Sequence, residues 1–212
     1  MEKLVHLHVN GASRSITLDP ETPLLFALRN DLANKGPKLG CALEQCHACT
    51  VLIDGAAVPS CKIPVSQVEN LEITTIEALG TPDNLHDLQA AFIDQQAIQC
   101  GTCVNGMIMA AEGLLRRERY PTDEQIKEAL ERNLCRCGVY DRVRRAIHLR
   151  VGKELSKQWS VVSDQLSERN AFSAPELESL RSLGIKLGIG ISVPGKLTPL
   201  RDPSSPSTPV SV

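Results

Sequence analysis

The stretch Gly40-Cys41-Ala42-Leu43-Glu44-Gln45-Cys46-His47-Ala48-Cys49-Thr50-Val51 decides the fold, because it crowds three cysteines into a short loop that runs straight into an apolar strand. Thr50 to Ile53 reads as that strand, and Asp54-Gly55 as the turn that ends it. Upstream, Leu4 to Val9 alternates apolar and polar residues, Asn10-Gly11 is a hairpin turn, and Ser13 to Leu18 makes the return strand. His6 and His8 fall on the face opposite Val5, Leu7 and Val9 of an edge-like strand, the position of solvated side chains rather than of a metal pair. Thr22 followed by Pro23 predicts a capped helix start, and Leu24, Leu25 and Leu28 give its apolar stripe, ending near Leu32. Apolar stretches at Ile63 to Val65 and Leu71 to Ile76 complete a small mixed sheet, so this half is α+β with one helix.

From Asn84 the spacing becomes helical. Leu85, Leu88, Phe92 and Ile93 mark one helix, and Met107, Ile108, Ala111, Leu114 and Leu115 a second. Thr122 with Gln125 forms a capping-box pattern after Pro121 and opens a third, expected to reach about Arg132; a fourth runs from about Tyr140 to Lys157. Four helices after a β-rich segment, joined near Gly80 to Asn84, predict two consecutive domains. Arg142, Arg144 and Arg145 read as a solvated face of the last helix, with docking to a partner as the alternative. Beyond it, Trp159 closes the helical domain or meets a partner. Ser173, Pro175, Leu177, Leu180 and Leu183 allow one more short helix, and the stretch from Val193 to Val212 is too rich in proline, serine and threonine to bury a core.

The chain holds eight cysteines. Cys41, Cys46, Cys49 and Cys61 are spaced C-x4-C-x2-C with a fourth after eleven residues, the plant-type arrangement for a [2Fe-2S] cluster. Gly40, Ala42 and Ala48 are small enough to let backbone N–H groups approach the cluster sulfurs, where such bonds tune its potential. Cys100, Cys103, Cys135 and Cys137 form two close pairs at helix termini, where positive helix ends favour thiolates and both pairs can converge on one metal site. Structural zinc also takes four cysteines, but C-x4-C and C-x-C fit its usual paired C-x2-C knuckles poorly. Disulfides would need an oxidising compartment, and Met1 to Asn10 lacks the basic and apolar regions of a secretion signal, which places the chain in the reducing cytoplasm.

Composition excludes several classes. A net charge of −2 provides no positive field for nucleic acid phosphates or an anionic membrane surface. One Trp, two Tyr and three Phe leave few stacking platforms for bases or sugars, and no stretch is apolar enough to insert into a membrane.

Three motifs together, residues 40–51 quoted above, Gln99-Cys100-Gly101-Thr102-Cys103 and Asn133-Leu134-Cys135-Arg136-Cys137, closely resemble the small iron-sulfur subunit of molybdenum hydroxylases, a family that includes xanthine dehydrogenase, aldehyde oxidoreductase, carbon monoxide dehydrogenase and the nicotinate and isoquinoline dehydrogenases. The likeness runs from about Lys3 to Glu154. It implies a β-grasp ferredoxin-like domain over 1–80 and a four-helix [2Fe-2S]-binding domain over 81–157; it does not explain the C-terminal extension over 158–212, which its composition predicts to be largely disordered. It implies two [2Fe-2S] clusters held by the eight cysteines, and no catalytic residue on this chain. The expected partner is a molybdopterin-binding large subunit, with an FAD subunit or a cytochrome c as electron acceptor. Gln99 and Cys137 would contact the pterin, although Gln99 also fits as a cap on the turn before Cys100. A free-standing ferredoxin-like carrier or redox-responsive binding protein is the rival reading. One departure stands out: the family usually has glycine where this chain has His47, which would be strained if the position requires a positive φ.

Overall fold

In this computed structural model residues 1–153 are described, and they belong to one compact unit. The expectations for Trp159, for a helix around Ser173 to Leu183 and for the 158–212 extension lie outside the described residues. The first half is a five-stranded mixed sheet in the order β2-β1-β5-β3-β4, formed by β1 (Lys3–Val9), β2 (Ala12–Leu18), β3 (Thr50–Ile53), β4 (Ala56–Pro59) and β5 (Glu72–Thr74). β1 pairs antiparallel with β2 and parallel with β5, so it lies inside the sheet and not at its edge as the alternation alone suggested. Its inward residues Val5, Leu7 and Val9 are buried, while His6 and His8 lie on the open face and hydrogen-bond Ser15 and Ser13 of β2.

The helix crossing this sheet departs from its expected form. It begins one residue later than predicted, as α1 (Leu24–Phe26), and continues as a π-turn over Ala27–Asp31, with no side-chain cap. Thr22 is not the cap because the neighbouring chain supplies the partners: Leu24 N–H donates to the Ile63 carbonyl, Leu25 N–H to Ser60, and the Thr22 carbonyl accepts from Val65 N–H. Ile63 to Val65 does not form a strand, since Pro64 has no N–H for a ladder and leads into a 3-10 turn at Val65–Gln67. Leu24, Leu28, Val51, Val65 and Ile73 pack with the β1 residues as the first core.

The second half is helical, with α2 (Asp87–Asp94), α3 (Val104–Arg117), α4 (Asp123–Leu130) and a last helix, α5, over 140–153. His86 caps α2, its ring accepting from Leu88 N–H while Gln89 accepts from His86 N–H. The helix therefore starts after Leu85, which is exposed, and of the predicted stripe only Leu88 and Phe92 are buried; Ile93 faces outward. The Thr122–Gln125 capping box is present, and α4 ends at Leu130 rather than Arg132. Leu88, Phe92, Met107, Ala111, Ile126, Val143 and Ile147 form the core of this half. On α5, Arg144 pairs with Asp123 at 2.9 Å, His148 Nε2 lies 2.6 Å from the same carboxylate, Arg142 donates to the Gln96 carbonyl and Arg145 is exposed.

α3 joins the halves. Every residue from Asn105 to Leu114 is buried, because the helix is covered by its helical neighbours on one side and lies on β3, β4 and the cysteine loop on the other. Glycine makes that approach possible: a Cβ on Gly106 would sit 2.0 Å from the His47 carbonyl oxygen, and one on Gly113 would sit 2.9 Å from the Ala57 Cβ. All four residues of β3 are accordingly buried on both faces.

Candidate metal centres

The loop from Cys41 to Cys46 is a cradle of backbone amides. Ala42, Glu44 and His47 all adopt left-handed φ angles, of 55°, 55° and 53°. Alternating the hand of successive residues turns their N–H groups to one side, a concavity that favours anions. Leu43, Gln45 and Cys46 N–H each lie 3.3–3.4 Å from Cys41 Sγ, and Cys41 N–H lies 3.3 Å from Cys46 Sγ. Burial, the largest single influence, opposes ionisation of Cys41, yet those amides together hold its thiol down at about 7. Gly40 gives the loop its closeness, since a Cβ there would lie 2.6 Å from Cys46 Sγ. From the other side, Cys49 just before β3 and Cys61 just after β4 meet beneath Leu25. Burial, and then the hydrogen bond with the Cys61 thiol, push Cys49 up to about 12.

The second set is built from helix ends. Cys103 is the residue preceding α3, and Cys135 and Cys137 lie in the turn before α5. Gly101 and Gly138 take the positive φ angles here, 84° and 71°, so no non-glycine residue is strained. Burial, and then contact with the Cys135 thiol, push Cys103 up to about 12, which outweighs the helix terminus that sequence reasoning credited with favouring a thiolate. Cys135 is desolvated as well, but amides of Val139, Cys137 and Gly138 bring it below the ordinary thiol range. Cys100 is exposed and is lowered by the Thr102 amide and hydroxyl and by Cys137.

The eight thiols thus come together in four couples: Cys41 with Cys46, Cys49 with Cys61, Cys100 with Cys137, and Cys103 with Cys135. Among the described residues no three His, Cys, Asp or Glu side chains converge closely enough to hold a single metal ion. Thiols gathered two and two fit a cluster of two irons, each of which takes two protein ligands, better than one tetrahedral ion drawing four sulfurs to a point. Gln99 is exposed and directly precedes Cys100, whose thiol meets that of Cys137.

Sequence reasoning missed the residues that hold these loops from behind. Asn105 Nδ2 donates to the carbonyls of Ala48 and Thr50, Asn133 Nδ2 to His47, Arg132 to Glu44, and Leu134 N–H to Cys46. Tyr140 Oη accepts from Cys135 N–H at 2.7 Å. One signal was legible: Asn105 is a polar residue in a mostly apolar helix, and a buried amide needs partners.

Comparison with known proteins agrees with this geometry. The sequence pattern of the 2Fe-2S iron-sulfur cluster binding domain matches residues 7–74, and that of the [2Fe-2S] binding domain matches residues 75–148. These matches define an iron-sulfur protein in which one cluster-binding region follows another. The chain is 51% identical over 147 residues to a nicotinate dehydrogenase subunit of Pseudomonas putida, covering 69% of this chain and 94% of that one. It is 46% identical over 152 residues to the alpha subunit of isoquinoline 1-oxidoreductase from Brevundimonas diminuta, covering 71% and 99%. The crystal structure of quinoline 2-oxidoreductase from Pseudomonas putida matches with a TM-score of 0.68 at 33% identity, over 71% of this chain and 94% of the matched one. The chain belongs to the small [2Fe-2S] iron-sulfur subunits of molybdenum hydroxylases, whose role is electron transfer through two [2Fe-2S] clusters.

Proposed function

We propose that Cys41, Cys46, Cys49 and Cys61 ligate one [2Fe-2S] cluster and Cys100, Cys103, Cys135 and Cys137 the other, in domains spanning 1–80 and 81–157. The observation that carries this assignment is the pairing of thiols two by two in each set, with backbone amides directed at the sulfurs of both. A bound cluster supplies one-electron storage; the chain's own residues fix its position and hydrogen-bond its ligands.

The relatives are subunits of larger enzymes, and the partner we assign to this chain is a molybdopterin-binding large subunit, in the cytoplasm, with an FAD subunit or a cytochrome c taking the electrons. Among the described residues no helix is long and apolar enough to cross a membrane. We assign Gln99 and Cys137 to the pterin contact, a reading supported by the exposure of Gln99 and Cys100 and of Ile98 and Leu134, which lie one residue from Gln99 and Cys135 in the same motifs. Electrons then enter at the helical-half cluster and leave from the ferredoxin-half cluster. Purification of the native protein from its source tests this reading. A molybdenum-containing large subunit should co-elute with the chain; an iron-loaded chain that elutes as a monomer with no such subunit would favour a free-standing carrier.

A further inference from the structure

The amides of the first cysteine loop face its sulfurs, so its carbonyls face away and need donors of their own. Local donors meet two of them, Thr50 Oγ1 at 2.7 Å and Thr50 N–H at 3.3 Å on His47 and Lys38 N–H at 3.1 Å on Ala48, and donors from beyond residue 100 add to these and reach the rest. The Glu44 carbonyl accepts from Arg132 Nη2 at 3.1 Å, Cys46 from Leu134 N–H at 3.2 Å, His47 from Asn133 Nδ2 at 3.3 Å, and Ala48 and Thr50 from Asn105 Nδ2 at 3.2 Å each. Arg132, Asn133 and Leu134 are three consecutive residues leading into Cys135, and they grip three carbonyls of the other cysteine set. Asn133 is only 1% exposed, and its Oδ1 has no partner, so the donor end of its amide is the end the structure uses.

We infer that Asn133, seconded by Arg132, is a positioning residue for the first cluster and not for the second, although it lies in the motif that carries two ligands of the second. A loop with three non-glycine residues in the left-handed region persists only where its surroundings over-determine it. The 132–134 strap supplies part of that constraint from the carbonyl side. When it slackens, the amides bonded to Cys41 Sγ move away from the sulfur. Fewer hydrogen bonds on thiolate sulfur destabilise the more negative, reduced state, so the potential of that cluster falls. The inference rests on the ligand assignment above.

The test is a redox titration of the full, cluster-loaded chain followed by electron paramagnetic resonance, with Cys61→Ser identifying which signal belongs to the first loop. Asn133→Leu removes the donor at similar volume. The expected result is a more negative midpoint potential for the first-loop cluster with the other unchanged. Arg132→Lys, at an exposed position and with its charge retained, should give a smaller shift of the same sign, and decides the matter if Asn133→Leu does not assemble. No shift, a shift of both clusters, or a shift of the helical-half cluster alone would overturn the inference. Failure of the ligand assignment would look different: the unsubstituted chain would lack one of its two signals from the outset.

Discussion

The two cysteine sets solve one problem in opposite ways. The first is a strained loop: Ala42, Glu44 and His47 each sit at a φ that costs a non-glycine residue on the order of 1–3 kcal/mol, and two of its cysteines, Cys49 and Cys61, are buried. The second places glycines at its positive-φ positions and leaves Cys100 exposed. The difference teaches where each is held. A strained loop must be clamped, and the helical half clamps it through Asn105, Arg132, Asn133 and Leu134. A relaxed turn pair needs no such clamp, and its open edge is free to meet another surface.

The contact that makes the clamp possible gives the largest expected effect. Gly106→Val would drive a side chain into the His47 carbonyl, and because backbone rather than a flexible tip must move, destabilisation should be about 3 kcal/mol or more. Denaturant unfolding checks it; a near-neutral variant would show that the halves are not in close contact there. Next, Cys61→Ser should abolish one of two paramagnetic signals in the reduced protein and leave the other intact. Loss of both from a folded protein would make the clusters interdependent and erase the distinction between the sets.

Tyr140→Phe is the mirror of the strap variants. It removes the acceptor for Cys135 N–H, an effect of about 1 kcal/mol, and should perturb the helical-half signal alone. The smallest effect is expected at His47, whose carbonyl accepts the strap's hydrogen bond and whose ring meets the Glu44 backbone. Burial, then the nearby Arg132, keep the imidazole pKa below its usual value, and Nε2 is buried without a partner. His47→Gly should relieve the left-handed strain and the orphaned nitrogen against a loss of ring packing, for a net gain of about 0.5–1 kcal/mol in urea unfolding. A clear loss would mean that the ring, not the backbone, determines this position.

Much of the architecture is legible in local sequence. The first hairpin, the β3–β4 turn at Asp54-Gly55 and the Thr122 box are specified by alternation or side-chain chemistry within a few residues. The eight cysteines are legible because their spacing suits few ligands other than paired irons. The start of α1 is not: its amides are satisfied by Ile63 and Ser60, far along the chain, and no local residue announces that. His86 escapes sequence reading as a cap because histidine is an uncommon one, and its role depends on the ring meeting Leu88 N–H. The clamp is hidden for the same reason as α1. A donor at position 133 and a carbonyl at position 47 are joined only once α3 lies across β3, and that approach depends on the missing side chains of Gly106 and Gly113.

Metal and sulfide analysis of the anaerobically purified chain, combined with low-temperature paramagnetic resonance after reduction, tests the central assignment most directly. The account predicts about four irons and about four acid-labile sulfides per chain, and two distinguishable [2Fe-2S] signals. Zinc in place of iron, or iron for one cluster with a single signal, would contradict it.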